Sequence, residues 1–146
     1  MERTFGGPVP SDWPGTAPLD AWLERSRNER GRRWSARAAL LRDNGTMIGH
    51  AGFHLPPGSD ALVQWAPGGV EIGYTIFPAY RRQGFATEAT RALVEFARAE
   101  GVPSVLATTN VENAPSRGVL SKCGFELVDQ IREDEVVEDV WVLRLA

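Results

Sequence analysis

Between Val70 and Glu100 the hydrophobic period of the chain changes from two to 3.6, and that change restricts it to a sheet with a helix packed on it. Val70-Glu71-Ile72-Gly73-Tyr74-Thr75-Ile76-Phe77 is rich in β-branched and aromatic residues and is stopped by Pro78, the pattern of a strand. From about Gly84 to Glu100, Ala89, Ala92, Leu93, Phe96 and Ala97 recur at helical spacing, and Gly101 stands where helices end. The join is Tyr80-Arg81-Arg82-Gln83-Gly84-Phe85-Ala86-Thr87-Glu88-Ala89, a basic turn with a glycine at its centre. It is suited to phosphate. N–H groups in a helix's first turn lack intrahelical acceptors and sit at the positive end of the helix dipole, so one anion satisfies several donors. Gly84 lets a ligand approach the main chain, Ala86 keeps the next position small, and Arg81 and Arg82 add charge. A Rossmann dinucleotide site is disfavoured, because its fingerprint wants three glycines and this turn has one.

The other elements frame this unit. Gly6, Gly7, Pro8, Pro10, Pro14, Gly15 and Pro18 leave little room for regular structure before Leu19. Leu19 to Arg30 reads as a helix, Trp34 to Arg42 as a strand, Asp43-Asn44-Gly45 as a hairpin turn, and Thr46 to Leu55 as the returning strand. Pro56 to Gly69 reads as a polar loop carrying Trp65. Val102 to Thr109 is a short buried strand, and Asn113-Ala114-Pro115-Ser116 starts a helix that Gly124 stops after Cys123. Phe125 to Ile131 and Glu138 to Leu145 close the chain as strands around the acidic loop Glu133-Asp134-Glu135. The expected fold class is α/β (α+β): one domain over residues 1–146, a mixed sheet flanked by helices.

Composition narrows the partners. The 146 residues, 42% of them hydrophobic, can build a core, and a formal charge of −3 argues against a nucleic-acid-binding surface. The arginines at 25, 27, 30, 32 and 33 read as a solvated helix end. Cys123, the single cysteine, excludes an intramolecular disulfide and a Cys-rich zinc site, and no His/Cys/Asp group has metal-ligand spacing, so no metal is expected. No apolar stretch approaches the roughly 20 residues that span a bilayer, and Met1 to Phe5 lacks a signal-peptide core. A soluble cytoplasmic protein with no membrane partner is the expectation.

Three segments, covering roughly Glu71 to Phe125, together resemble the GCN5-related N-acetyltransferases (GNAT), in particular the ribosomal-protein N-acetyltransferase (RimJ/RimL)-like branch. The first is Glu71 to Pro78, the second Arg82-Gln83-Gly84-Phe85-Ala86-Thr87 continued by Glu88-Ala89, and the third Asn110 to Leu120 followed by Lys122-Cys123-Gly124-Phe125. The resemblance implies a mostly antiparallel sheet splayed at an acetyl-CoA site, and acetyl-CoA as cosubstrate. It implies a bulge in the first segment, whose main chain at Tyr74, Thr75 and Ile76 meets the pantetheine arm. It implies pyrophosphate contacts from Arg82, Gln83, Gly84, Phe85, Ala86 and Thr87, and a coenzyme contact from Asn113, which also reads as a plain helix cap. The family order has a strand before the first helix, for which only Met1 to Pro10 remains, so that strand is expected to be short or absent. A homodimer is compatible with the resemblance.

The same resemblance implies acetyl transfer to a primary amine, a protein N-terminus or a small-molecule amine, by direct attack. Many family members place a tyrosine seven residues after the Asn as general acid, and this chain has Leu120 there. Ser116 is the nearest substitute. A protonated amine must also lose a proton before attack, and Glu71 is the carboxylate chosen as base, acting through water, with a strand-end charge paired to arginine as the alternative. His50 and His54 share a strand face and titrate in the useful range, or are ordinary sheet histidines. A non-catalytic acyl-CoA sensor on the same fold is the competing reading.

Overall fold

A computed structural model describes residues 24–145, and in it the strand patterns form one six-stranded sheet. The strands are β1 (Ala36–Leu40), β2 (Met47–Leu55), β3 (Val70–Ile76), β4 (Ser104–Asn110), β5 (Glu126–Glu133) and β6 (Val136–Arg144), in spatial order β1-β2-β3-β4-β6-β5. The helices are α1 (Glu29–Arg33), α2 (Phe85–Ala99) and α3 (Ala114–Lys122). Every neighbouring pair is antiparallel except β3 and β4. A parallel pair needs a crossover, and α2 supplies it. The strand expected in Met1 to Pro10 lies outside the described residues, as does the expected helix before Glu24.

Alternation along the strands divides the interior into two layers. Ala51, Phe53, Val70, Ile72, Val105 and Ala107 face the helices, where they meet Leu93, Val94 and Ala97 of α2 and Leu120 of α3. Burying Leu93 and Val94 stabilises the packing by about 1.5–3 kcal/mol each. Trp34 fixes the sheet end of this layer, edge-on to Phe53 and Phe96 with centroids 4.8 and 5.4 Å away. On the opposite face Leu106, Val140 and Val142 are covered by Leu62 and Ala66. The segment from Pro56 to Gly69 is therefore more than a polar loop. It holds a 3₁₀ turn over Asp60–Leu62, and Trp65 Nε1 donates to Asp129 Oδ2 at 2.8 Å.

Several boundaries differ from the sequence expectation for local reasons. Instead of one helix running to Arg30, Glu24 and Arg25 are helical, a turn follows, and α1 begins afresh after Asn28. The Asn28 side chain accepts the Gly31 N–H at 2.7 Å, because a short amide side chain caps a new helix better than it continues an old one. The nearby arginines are anchored. Arg27 pairs with Glu24 at 3.0 Å, Arg33 with Glu100, and Arg25 donates to the Phe53 carbonyl at 3.0 Å. Strand β4 starts after Pro103, which has no N–H for a ladder. The loop expected from Glu133 to Glu135 shrinks to a tight turn, with Asp134 at φ 54°.

The consequential feature is a split. Strands β3 and β4 pair only at Val70 with Val105 and Glu71 with Leu106, after which β3 stays with β2 and β4 with β6 as far as Asn110 opposite Glu138. The bulge expected in β3 is on its neighbour. Phe53 lies opposite Ile72 and Leu55 opposite Glu71, so His54 of β2 is the extra residue. Its imidazole lies on Gly73, where a Cβ would sit 2.2 Å from the ring. A side chain at position 73 would have to displace that ring.

Candidate active site

The turn leading into α2 arranges its main chain around the mouth of the split. After a 3₁₀ turn at Pro78–Tyr80, Arg81 Nε donates to the Ile76 carbonyl at 2.8 Å, Arg82 adopts φ 62°, and Gly84 adopts φ 84° as N-cap of α2. Gly84 offers no side-chain acceptor, and the α-helical ladder starts with Glu88 N–H on the Gly84 carbonyl at 3.0 Å. The N–H groups of Phe85, Ala86 and Thr87 therefore have no intrahelical acceptor. No atom lies within 4 Å of where a Gly84 Cβ would be, so the space above the turn is open.

The edge of β3 continues this polar surface. Phe77 N–H donates to the Ile48 carbonyl at 2.8 Å, and ladder alternation then turns Thr75 main-chain groups toward β2 and those of Tyr74 and Ile76 into the split. A cleft of about 590 Å³ joins this edge to the turn. Tyr74, Thr75 and Ile76 line it with Arg82, Gly84, Phe85, Ala86, Thr87, Asn113 and Ser116; Gln83 is outside the lining. Tyr80, Arg81, Pro115, Val119 and Lys122 also contribute. Pro115, Val119 and Lys122 follow i, i+4, i+7 spacing, a one-face signal readable in the sequence but not used there.

A smaller cleft of about 170 Å³ opens where β3 and β4 part, lined by His54, Gly73, Thr108 and Asn110 among others. Tyr74, Asn113 and Ser116 line both clefts, so they mark the junction. Asn113 caps α3 by accepting the Ser116 N–H at 3.2 Å, which leaves its amide NH₂ available. Leu120 is fully buried in the helix-side core. Helix α3 is tied to the sheet by Arg117, whose Nε lies 2.8 Å from the wholly buried Asp139 carboxylate; Gln130 Nε2 donates to the other oxygen at 2.7 Å.

Glu71 stands apart from both linings. It projects from the opposite face of β3, half-buried, and accepts from Thr108 Oγ1 at 3.4 Å. Burial raises its carboxyl above the ordinary carboxylate value and Glu138 pushes the same way, against the Thr108 hydrogen bond. Burial lowers His50, with His54 adding to the effect, and lowers His54, with Arg25 adding. Both imidazoles are therefore held neutral at pH 7. Among the described residues, no cluster of three His, Cys, Asp or Glu is placed to hold a metal, and no helix is long and apolar enough to cross a membrane.

Residues 3–126 match the model of the family described as Acetyltransferase (GNAT) domain. The chain is 33% identical over 87 residues to the uncharacterized N-acetyltransferase YnaD of Bacillus subtilis, covering 59% of this chain and 46% of YnaD. It spans about half the length of the relatives it matches in this way. The fold is similar to that of YncA from Salmonella typhimurium, solved with its cofactor acetyl-CoA (TM-score 0.59, 22% identity, 70% of this chain and 61% of that one). It is also similar to ribosomal-protein-S5-alanine acetyltransferase from Vibrio fischeri (TM-score 0.63, 13% identity, 75% and 60%). At those identities the likeness is one of fold.

Proposed function

The chain belongs to the GNAT acetyltransferase family, and we propose that it transfers the acetyl group of acetyl-CoA to a primary amine by direct attack. The observation that carries this reading is the continuity of the larger cleft, from the open β3 edge to the uncapped start of α2. Its parts suit the chemistry of the coenzyme. The Tyr74 main chain and the Ile76 N–H offer an amide-rich arm the hydrogen bonds that β4 withholds beyond Glu71, while the first turn of α2 and Arg82 offer donors and charge to a pyrophosphate. Asn113 adds a proposed contact through the NH₂ that its capping role leaves over, and Thr75, whose main chain is turned toward β2, one through its side chain, while Gln83 stands in the turn outside the cleft.

In the proposed reaction the split positions the thioester, and main-chain N–H groups of β3 meet the developing oxyanion. The amine enters by the smaller cleft, beneath His54. Glu71 removes its proton through water, helped by the raised affinity for protons that burial gives the carboxyl. Ser116, at the junction, hydrogen-bonds the sulfur. Within the family the arrangement Arg82 to Ala89 with Asn113-x-x-Ser116 supports the ribosomal-protein N-acetyltransferase-like branch, with a protein N-terminus or a small-molecule amine as acceptor. We place the reaction in the cytoplasm.

Release of free thiol from acetyl-CoA with a panel of amines tests the reading. Turnover on at least one amine is expected; coenzyme binding without turnover on any would identify a sensor instead. In active protein, kcat/KM should rise with pH through the raised Glu71 value and then level. Glu71→Gln should lower the plateau about 100-fold and remove that limb. Since burial makes the folded state prefer neutral Glu71, stability from this group is full below the ordinary carboxylate range and is lost as pH rises through the raised value. The Gln variant should therefore unfold at pH 8 no more easily than the parent, separating lost chemistry from lost structure.

A further inference from the structure

We propose that the Tyr74 hydroxyl, at the junction of the two clefts, donates a hydrogen bond to the leaving sulfur alongside that of Ser116; this rests on the acetyl-transfer reading above. Three residues line both clefts, Tyr74, Asn113 and Ser116, and the reacting bond has to cross between the clefts for an amine in one to meet a thioester in the other. Asn113 spends its carbonyl oxygen on the Ser116 N–H, and its NH₂ is already assigned to the coenzyme in the reading above. Tyr74 is differently placed. Its ring packs against the helix-side core, which fixes the hydroxyl, and its O–H donates to the Ser116 carbonyl at 3.4 Å, a bond at the long limit that a better acceptor displaces. Leu120, fully buried on the next turn of α3, offers no donor.

The phenol suits that task. Burial raises it above the ordinary phenol value, outweighing the Ser116 contact, so the proton stays on oxygen throughout the working range. Because burial holds its proton more tightly than in a free phenol, Tyr74 shares that proton with the sulfur without surrendering it. The neutral amine nitrogen bonds to the acetyl carbon, the carbon–sulfur bond breaks with its electron pair going to sulfur, and sulfur takes the Tyr74 hydrogen bond as a thiolate. Glu71 first passes the ammonium proton to solvent, then takes the proton of the newly bonded nitrogen through water, and solvent returns one proton to the thiolate, giving amide and free thiol with Tyr74 unchanged.

Tyr74→Phe removes only the hydroxyl. The expected result is a kcat lower by about 10- to 100-fold, with the KM for acetyl-CoA within about twofold. A second readout needs no turnover. Ultraviolet absorbance of the thiolate in protein-bound coenzyme A should titrate about one pH unit higher in Tyr74→Phe than in the parent, since a charge-assisted hydrogen bond to the thiolate has been lost. Unchanged kcat, or a thiol that titrates identically in the two proteins, would overturn the assignment. If the parent turns over no amine, the acetyl-transfer reading fails by itself, and the titration alone decides whether Tyr74 faces the sulfur.

Discussion

Gly84→Glu should weaken acetyl-CoA binding by at least about 100-fold, equivalent to roughly 2.7 kcal/mol, while the protein remains folded. Gly84 is N-cap of α2 at φ 84°, a conformation that costs a side-chain-bearing residue about 1–2 kcal/mol. Folding should survive that cost, because the added Cβ meets no atom within 4 Å. Binding should not, since the carboxylate enters the space in front of the Phe85, Ala86 and Thr87 N–H groups and sets like charge against pyrophosphate. Gly84→Ala supplies the control: it carries the same backbone strain without the charge and should keep most of the affinity. Titration calorimetry and thermal unfolding of the two variants check the pair. Full affinity in Gly84→Glu would place the phosphates elsewhere.

The second large effect concerns how α3 is held. Arg117→Ala should destabilise the fold by about 3 kcal/mol and lower its melting temperature by roughly 10 °C. Asp139 on β6 is wholly buried, with Gln130 donating to one oxygen and the Arg117 charge 2.8 Å from the other without an aligned hydrogen bond, so truncating the arginine leaves a buried carboxylate without its counter-charge. The Arg117 side chain is 41% exposed, which admits some water and puts the effect at the lower end of what breaking a buried pair costs. Because Arg117 is one residue beyond Ser116, the junction between the clefts should loosen as well. Replacing Arg117 and Asp139 together with apolar residues should recover part of the stability, and urea unfolding at pH 7 measures both proteins. A loss under about 0.5 kcal/mol would mean that the carboxylate finds another partner.

What the sequence disclosed depended on whether the cause was local. The β3, turn and α2 unit was legible because hydrophobic period, Pro78 and Gly84 each act over a few residues, and the Asn113 cap was legible because N-cap chemistry spans one turn. The split between β3 and β4 was expected from resemblance, not from pattern, and its bulge proved to belong to β2. Nothing in Val70 to Phe77 alone reports that the His54 ring rests on Gly73 from the neighbouring strand. The Arg117–Asp139 pair went unread for a similar reason, since it joins residues 22 apart whose meeting depends on how α3 lies on β6. Glu71 illustrates the limit from the other side. Its type and approximate place suited a base, yet alternation sends it to the face opposite the coenzyme cleft, toward Thr108.

Titration calorimetry of the parent protein with acetyl-CoA decides whether the cleft running from the β3 edge to the start of α2 is a coenzyme site. Saturable heat with one molecule bound per chain is expected, with coenzyme A competing at the same site. No detectable binding at millimolar coenzyme would contradict that assignment.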